Sequence, residues 1–399
     1  MSLELSKKAS AVKASSTLAI PARAKELRAQ GKDVVGFGAG EPDFNTPDNI
    51  CDAAVAAIRE GFTKYTPASG TNELKQAVCK KFREFNHLEY SPEQIVISNG
   101  GKHSLKNIFT AIINPGDEVI IPAPYWLSYP EIVKLAGGVP VIVTTTRRQD
   151  YKLTGEELER AVTDKTKAVI LNTPNNPTGM LYTEEELRAI ADVAVRKDFY
   201  VVADEMYEHL VYGKQHHISI ASLGKDIYDR TITCSGLAKS YSMTGWRIGY
   251  TGSSREIAKM MGSVQSHETS NPNSIAQRAA VEALNGPQDS VESMRREFDA
   301  RRKYVMERID RMPLVSAIEP MGAFYVFVDA GQVIGRKYGD MTVDSVAKMA
   351  EILINEYNTA VVPCGDFGFE KHLRLSYAIS HDLICKGMDR IEDFLKKLQ

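Results

Sequence analysis

Lys239 stands among small residues in "SGLAKSYSMTGWRIGY", just after the apolar run "TITC", and Arg247 follows eight positions later. Other residues able to do chemistry stand at or just beyond other short apolar runs. Gly100-Gly101-Lys102 follows "QIVIS", Trp126 follows "EVIIP", Asn176 lies in "NTPNNPTG" after "AVILN", and Asp204 and Tyr207 close "FYVVAD" and its turn. Together they offer an amine, an acid, an aromatic plate, two hydrogen-bonding groups and a glycine-rich turn opening a helix.

Each of these answers one need of pyridoxal phosphate chemistry. A lysine amine can form an imine with the cofactor aldehyde and, once displaced, can carry the substrate α-proton, which assigns Lys239 as catalytic lysine. A carboxylate beside the pyridine nitrogen keeps it protonated, so that the ring can accept electrons; that is Asp204. Tyr207 and Asn176 can hold the ring hydroxyl, and the Trp126 indole can stack on the ring face. A phosphate wants backbone N–H groups at a helix amino terminus and a fixed cation, which Gly100, Gly101, Lys102 and Arg247 can supply. A substrate carboxylate wants a bidentate guanidinium, and "HLRLSYA" offers Arg374.

The elements that must position these groups follow from the same runs. They are apolar on both faces and alternate with helical patterns, so they predict an α/β fold with a mainly parallel sheet covered by helices on both sides. Only the stretch from Gly236 to Trp246 separates "TITCS" from "RIGYTG". That is too short for a parallel crossover, so the spacing predicts an antiparallel neighbour there. The chain then leaves and re-enters the sheet at one pole, the carboxyl ends of the parallel strands, where open α/β sheets bind ligands. From about residue 285 the texture changes to long charged helices and the strands "AFYVFVDA" and "TAVVPCG". The expected division is a large cofactor-binding domain over 48–285 and a smaller α+β domain formed by 1–47 and 286–399.

Composition excludes other classes. A chain of 399 residues with a formal charge of −2 has no basic footprint for nucleic acid or an anionic membrane. Its five scattered cysteines form no C-x-x-C pair, against a disulfide framework or zinc site and in favour of a reducing cytoplasm. No apolar run reaches a membrane span, and the first twenty residues hold no continuous apolar core of a signal peptide. "GFGAGEP" lacks dinucleotide-site spacing, and "SNGGKHS" lacks the upstream glycine and following hydroxyl of a phosphate-binding loop. The pair His216-His217 reads as a solvated loop dipeptide, and no metal site is expected.

"GLAKSYSMTGWRIG" resembles the lysine-attachment signature of class I pyridoxal-phosphate aminotransferases. "AGEPDFNTP", "KYTPASG", "APYWLSYP", "NTPNNPTG", "ADEMYEHL", "GAFY" and "RLSYA" occur in that family's order. The resemblance runs through essentially the whole chain and points to the bacterial aspartate aminotransferase subgroup. It implies the fold type I architecture with a seven-stranded sheet, and transamination from aspartate to 2-oxoglutarate by a ping-pong mechanism. It also implies that Tyr65 reaches the cofactor phosphate of a partner subunit in a homodimer, and that Gly40 lies beside the substrate carboxylate.

The chain departs from the family where other members carry hydroxyl residues, at Gly236 and Lys102, so Ser235 is expected to complete the phosphate shell. "SVQSHETSNPN" holds no arginine for a distal carboxylate, which leaves Lys13 and Lys102, with His267 as a third candidate. An aromatic, prephenate or alanine aminotransferase, or a carbon-sulfur lyase of the same fold, would share the chemistry. A non-catalytic pyridoxal-phosphate regulator would need a DNA-binding extension, and no basic or helix-turn-helix segment precedes the fold.

Overall fold

The structure, a computed structural model, describes residues 5–12 and 16–399. After the helix Ser16–Ala29, a two-residue strand β1 (Val35–Gly36) leads into the turn-rich crossing that ends at the helix Asp48–Arg59. Seven strands then build the main sheet: β2 (Ile95–Ser98), β3 (Glu118–Ala123), β4 (Val139–Thr144), β5 (Thr166–Asn172), β6 (Tyr200–Asp204), β7 (Thr231–Gly236) and β8 (Gly249–Gly252). Their order is β2-β8-β7-β6-β5-β3-β4. The neighbours from β7 through β6, β5 and β3 to β4 are parallel, whereas β8 runs antiparallel to both β7 and β2.

The short link from β7 to β8 is thus the predicted antiparallel return. It places Lys239, just past the end of β7, and Arg247, just before β8, at one pole. Both faces of the sheet are covered, because alternate residues of one strand enter different cores. In β5, Ile170 packs with Val202 and Ile232, whereas Val169 and Leu171 pack with Leu187 and Ile190 of the helix Glu184–Lys197. That helix starts at Thr183, whose hydroxyl accepts from the Glu186 amide while Glu186 accepts from the Thr183 amide. The sequence pattern does not reveal β4, since Pro140 and a half-exposed face do not look like a buried strand. β4 is an edge strand, where proline and exposure are tolerated.

A second, antiparallel sheet follows, formed by β9 (Ser316–Ala317), β10 (Tyr325–Asp329), β14 (Val362–Pro363) and β15 (His372–Ser376) in the order β14-β15-β10-β9. A small hairpin, β11 (Lys337–Tyr338) and β12 (Met341–Thr342), lies in between, and β13 (Thr359–Ala360) pairs in parallel with β1. The core around this sheet joins Phe298, Phe324 and Phe394 to Val35 and Phe37, so the amino-terminal crossing is packed with the carboxyl-terminal elements. Tyr207 belongs to the same core, which brings the turn after β6 against the smaller sheet. No described helix is long and apolar enough to cross a membrane.

Candidate active site

A cavity of about 710 Å³ opens at the carboxyl ends of the parallel strands, closed on the other side by β15, β10 and the crossing after β1. Gly40, Gly101, Lys102, Trp126, Asn176, Asp204, Tyr207, Lys239, Arg247 and Arg374, ten of the residues singled out from sequence, line it.

At one end, Gly100 turns the chain with φ +88° into the helix Gly101–Ile112. A side chain there would put its Cβ 2.5 Å from Arg247 Nη2, so the glycine lets the guanidinium lie against the helix amino terminus. Gly249 makes the same space from the other side: its Cβ would stand 2.5 Å from the backbone of Gly100 and Gly101. Arg247 is fixed by an Nη1 hydrogen bond of 2.8 Å to the Thr244 carbonyl. Free helix N–H groups beside a fixed guanidinium fit a phosphate. Lys102 stands over the Trp126 ring at 4.9 Å, its ammonium held below the usual lysine range by desolvation and then by Arg247.

Asp204 is 6% exposed at the end of β6. Its Oδ2 accepts from the Tyr129 hydroxyl at 2.7 Å and its Oδ1 from the Met206 amide at 3.2 Å. Burial pushes this carboxyl up to about 6, although both hydrogen bonds oppose the shift. A carboxylate so short of counter-charge fits a protonated pyridine nitrogen. Asn172 Nδ2 donates to the Asp204 carbonyl at 2.9 Å and Asn172 Oδ1 accepts from the Asn176 amide at 2.9 Å, so one side chain braces two candidate groups.

Lys239 donates to the Gly40 carbonyl and lies 6.0 Å from the centroid of the Phe324 ring. Burial brings its amine down to about 8; Glu41 opposes this, and Arg374 and Arg247 reinforce it. A fraction of the amine is therefore uncharged near neutrality, as a nucleophile requires. Arg374, 3% exposed on β15, donates through Nη1 to Asn176 Oδ1 at 3.0 Å and through Nη2 to the Gly38 carbonyl at 3.2 Å. Its Nε is buried without a partner and its guanidinium lies 4.4 Å over the Tyr325 ring. An unfilled donor on a buried guanidinium fits a ligand carboxylate. The Tyr207 hydroxyl meets that of Tyr325 at 3.0 Å.

Other expected groups fall elsewhere. Ser235 is fully buried and its hydroxyl donates to Glu208 Oε1 at 2.5 Å, behind the cavity wall, so it does not face the space expected for a phosphate. Tyr65 is 90% exposed and outside the cavity of its own chain. His267 is exposed on the helix Arg255–Glu268, also away from the cavity. Lys13 lies outside the described residues. His216 is exposed as expected, but His217 is not solvated: its side chain is buried with Nε2 3.0 Å from Glu205 Oε2. The ligand atoms of Glu205, Glu208 and His217 lie within 4.8 Å of one another, yet the carboxylate oxygens are already taken by Lys81, Asn86, Ser219 and Ser235. Sequence reasoning misses Tyr129, Asn172 and Tyr325. Tyr129 follows Trp126 by one helical turn in "YWLSY", and that spacing is the available signal.

An amine poised on one wall, with an acid and an anion cradle converging on the same space, marks a pyridoxal-phosphate enzyme built at the pole of a parallel sheet. The chain belongs to the class I and II aminotransferases, whose family model matches residues 32–391. It is 50% identical over 382 residues to the aspartate aminotransferase of Bacillus sp. (strain YM-2), covering 96% of each chain. It is 46% identical over 385 residues to the aspartate/prephenate aminotransferase of Cereibacter sphaeroides, again covering 96% of each. Among solved structures, the aspartate aminotransferase of Rhizobium meliloti superposes with a TM-score of 0.96 at 39% identity over 100% of both chains. The Thermus thermophilus enzyme with maleate gives 0.93 at 43% identity, over 99% of this chain and 100% of that one.

Proposed function

We propose that this pyridoxal-phosphate aminotransferase moves the α-amino group of aspartate to 2-oxoglutarate, giving oxaloacetate and glutamate by ping-pong exchange. The observation that carries this reading is the pairing, in one cavity, of the Lys239 amine, brought down to about 8, with the Arg374 guanidinium, whose buried Nε lacks a partner. Bound cofactor supplies an aldehyde and an electron-withdrawing ring. Lys239 holds it and, once freed, carries the α-proton at Nζ. Asp204 keeps a proton on the ring nitrogen, Tyr207 and Asn176 hold the ring hydroxyl, and Trp126 covers the ring face. Gly100, Gly101, Lys102 and Arg247 hold the phosphate. Arg374, which lines the cavity together with Gly40, binds the substrate α-carboxylate.

The aspartate assignment is supported by the names of the relatives and by Lys102, a cavity-lining cation over Trp126 that is, with Lys13, a candidate for a second carboxylate as well as for the phosphate. The Cereibacter relative's name favours prephenate as a second substrate reading. The division into 48–285 and 1–47 with 286–399 is supported by the two sheets and by the pairing of β1 with β13. A homodimer in the cytoplasm completes the proposal. The homodimer is supported by the exposure of Tyr65 together with the apolar Val55, Ile58 and Met260.

Borohydride reduction of the cofactor-loaded protein followed by peptide mapping tests the first half, and a pyridoxyl label absent from Lys239 sinks it. Amino-donor profiling of wild type, Lys13→Ala and Lys102→Ala tests the second. The expected result is a selective loss of dicarboxylate donors in the variants.

A further inference from the structure

Behind the cavity wall lies a buried polar cluster that the chemistry above does not use. The turn after β6 sends its side chains to two sides: Asp204, Met206 and Tyr207 line the cavity, whereas Glu205 and Glu208 point away from it into the protein. Both acids are at most 1% exposed. Glu208 pairs with Lys81 and accepts from Ser235 Oγ at 2.5 Å. Asn86 Nδ2 bridges the two acids, at 2.7 Å to Glu208 Oε2 and 3.0 Å to Glu205 Oε2, while Lys81 donates to Asn86 Oδ1 at 2.8 Å. Ser219 Oγ closes the far side on Glu205 Oε1 at 2.7 Å.

We propose that Lys81, Asn86 and Glu208 are positioning residues for the reaction: they anchor the turn that presents Asp204 and Tyr207, rather than merely stabilising the fold. Lys81 and Asn86 belong to the helix Asn72–Asn86, so a single rigid element grips the turn from behind. Ser235 ties the same carboxylate to β7, four residues before Lys239. The acid, the phenol and the amine are thereby referred to one buried carboxylate. Burial alone would raise the Glu208 carboxyl, but Lys81 and then His209 and His217 hold it below the usual range, so it stays ionised and keeps all its donors. Buried charge networks of this kind hold geometry only while every member is satisfied.

The proposal rests on the reading of Asp204 and Tyr207 as cofactor groups, and three variants test it: Glu208→Leu, Glu208→Gln and Asn86→Ala. In the cofactor-free protein, hydrogen exchange of the amides from 205 to 210 is expected to quicken by about tenfold or more in Glu208→Leu, with the β6 amides unchanged. Cofactor affinity should fall in parallel, and kcat should fall by roughly 10- to 100-fold in fully loaded enzyme with KM within about twofold. Glu208→Gln, which keeps one acceptor oxygen for Ser235 but gives up the charge that pairs with Lys81 and the second acceptor for Asn86, should recover only part of each loss. If Glu208→Leu does not fold, Asn86→Ala carries the same measurements. Unchanged exchange in the turn, or faster exchange spread evenly over β5, β6 and β7, overturns the proposal. So does local loosening with unaltered cofactor affinity. Exchange and affinity are read without any amino donor, so a wrong substrate assignment leaves both readouts intact.

Discussion

Arg374 Nη1 donates to Asn176 Oδ1 at 3.0 Å, joining residues 198 positions apart in the chain. The bond ties the smaller sheet to the turn after β5 across the cavity floor. It leaves the buried Nε as the arginine's open donor, so a carboxylate arriving between Arg374 and Lys239 finds a guanidinium already oriented.

Arg374→Lys should therefore lose more than its conserved charge implies. An ammonium cannot bond Asn176, the Gly38 carbonyl and a carboxylate in one plane. The expected fall in kcat/KM for aspartate is roughly 10²- to 10³-fold, or about 3–4 kcal/mol, with cofactor content unchanged. Steady-state kinetics at saturating 2-oxoglutarate reads it, and a loss under tenfold would argue that the carboxylate docks elsewhere.

Asp204 trades stability for chemistry. With its carboxyl raised to about 6 by burial, the fold favours the protonated form. Stability therefore falls as pH rises from the ordinary carboxylate value through about 6, and the cost persists above that. At 1.36 kcal/mol per pH unit the gap amounts to roughly 3 kcal/mol in the cofactor-free protein. Asp204→Asn should thus melt higher than wild type at pH 8 without cofactor, with the difference closing toward pH 4. The same variant should lose about 10²-fold or more in kcat. Thermal melts of both proteins across pH decide it, since a variant that melts lower at pH 8 contradicts the argument.

Lys239 carries the opposite sign. Its value of about 8 lies below the ordinary lysine value, so the fold disfavours its charge. The cost is full below pH 8 and fades as pH rises toward the unfolded value. In cofactor-free protein, acylation of Lys239 should reach half its maximal rate near pH 8, about two pH units below the ordinary lysine value. Mass spectrometry after brief labelling across pH reads that curve, and a midpoint at the ordinary lysine value would remove the basis for a poised amine.

The candidate site is legible in the sequence to the extent that strand ends announce it. Lys239, Asp204, Asn176 and Arg247 each sit within a few residues of a buried apolar run, and the short return between β7 and β8 forces two of them together. Groups that reach the site from a helix start or from the opposite sheet are less legible: Arg374 is found by its guanidinium, whereas the two tyrosines are not. Tyr129 looks like one more helix aromatic, and Tyr325 like one more strand residue, until the fold sets them beside Asp204 and Tyr207. Ser235 shows the limit most clearly: it is adjacent to the right loop, yet strand alternation turns its hydroxyl to Glu208. His217 departs from the sequence expectation for a related reason, since nothing local signals that its loop folds back onto Glu205.

Gly236 is where other family members carry a hydroxyl, so restoring serine there would at first sight strengthen phosphate binding. The backbone argues otherwise. A Cβ at Gly236 would stand 2.9 Å from the Ile248 carbonyl oxygen and 3.1 Å from both Gly249 Cα and Met206 Cε. Met206 can yield, being a flexible side chain, but β8 cannot retreat without moving Gly249, which already touches the Gly100–Gly101 turn. Gly236→Ser should therefore weaken cofactor binding, with overpacking of about 1–3 kcal/mol raising the dissociation constant roughly tenfold. Gly249→Ala, whose Cβ meets backbone alone at 2.5 Å, should do worse. Adding Met206→Ala to Gly236→Ser should recover little, because the carbonyl contact remains. Equilibrium titration of the cofactor-free variants with pyridoxal phosphate measures all three, and tighter binding by Gly236→Ser would show that the β7–β8 pair is softer than its register implies.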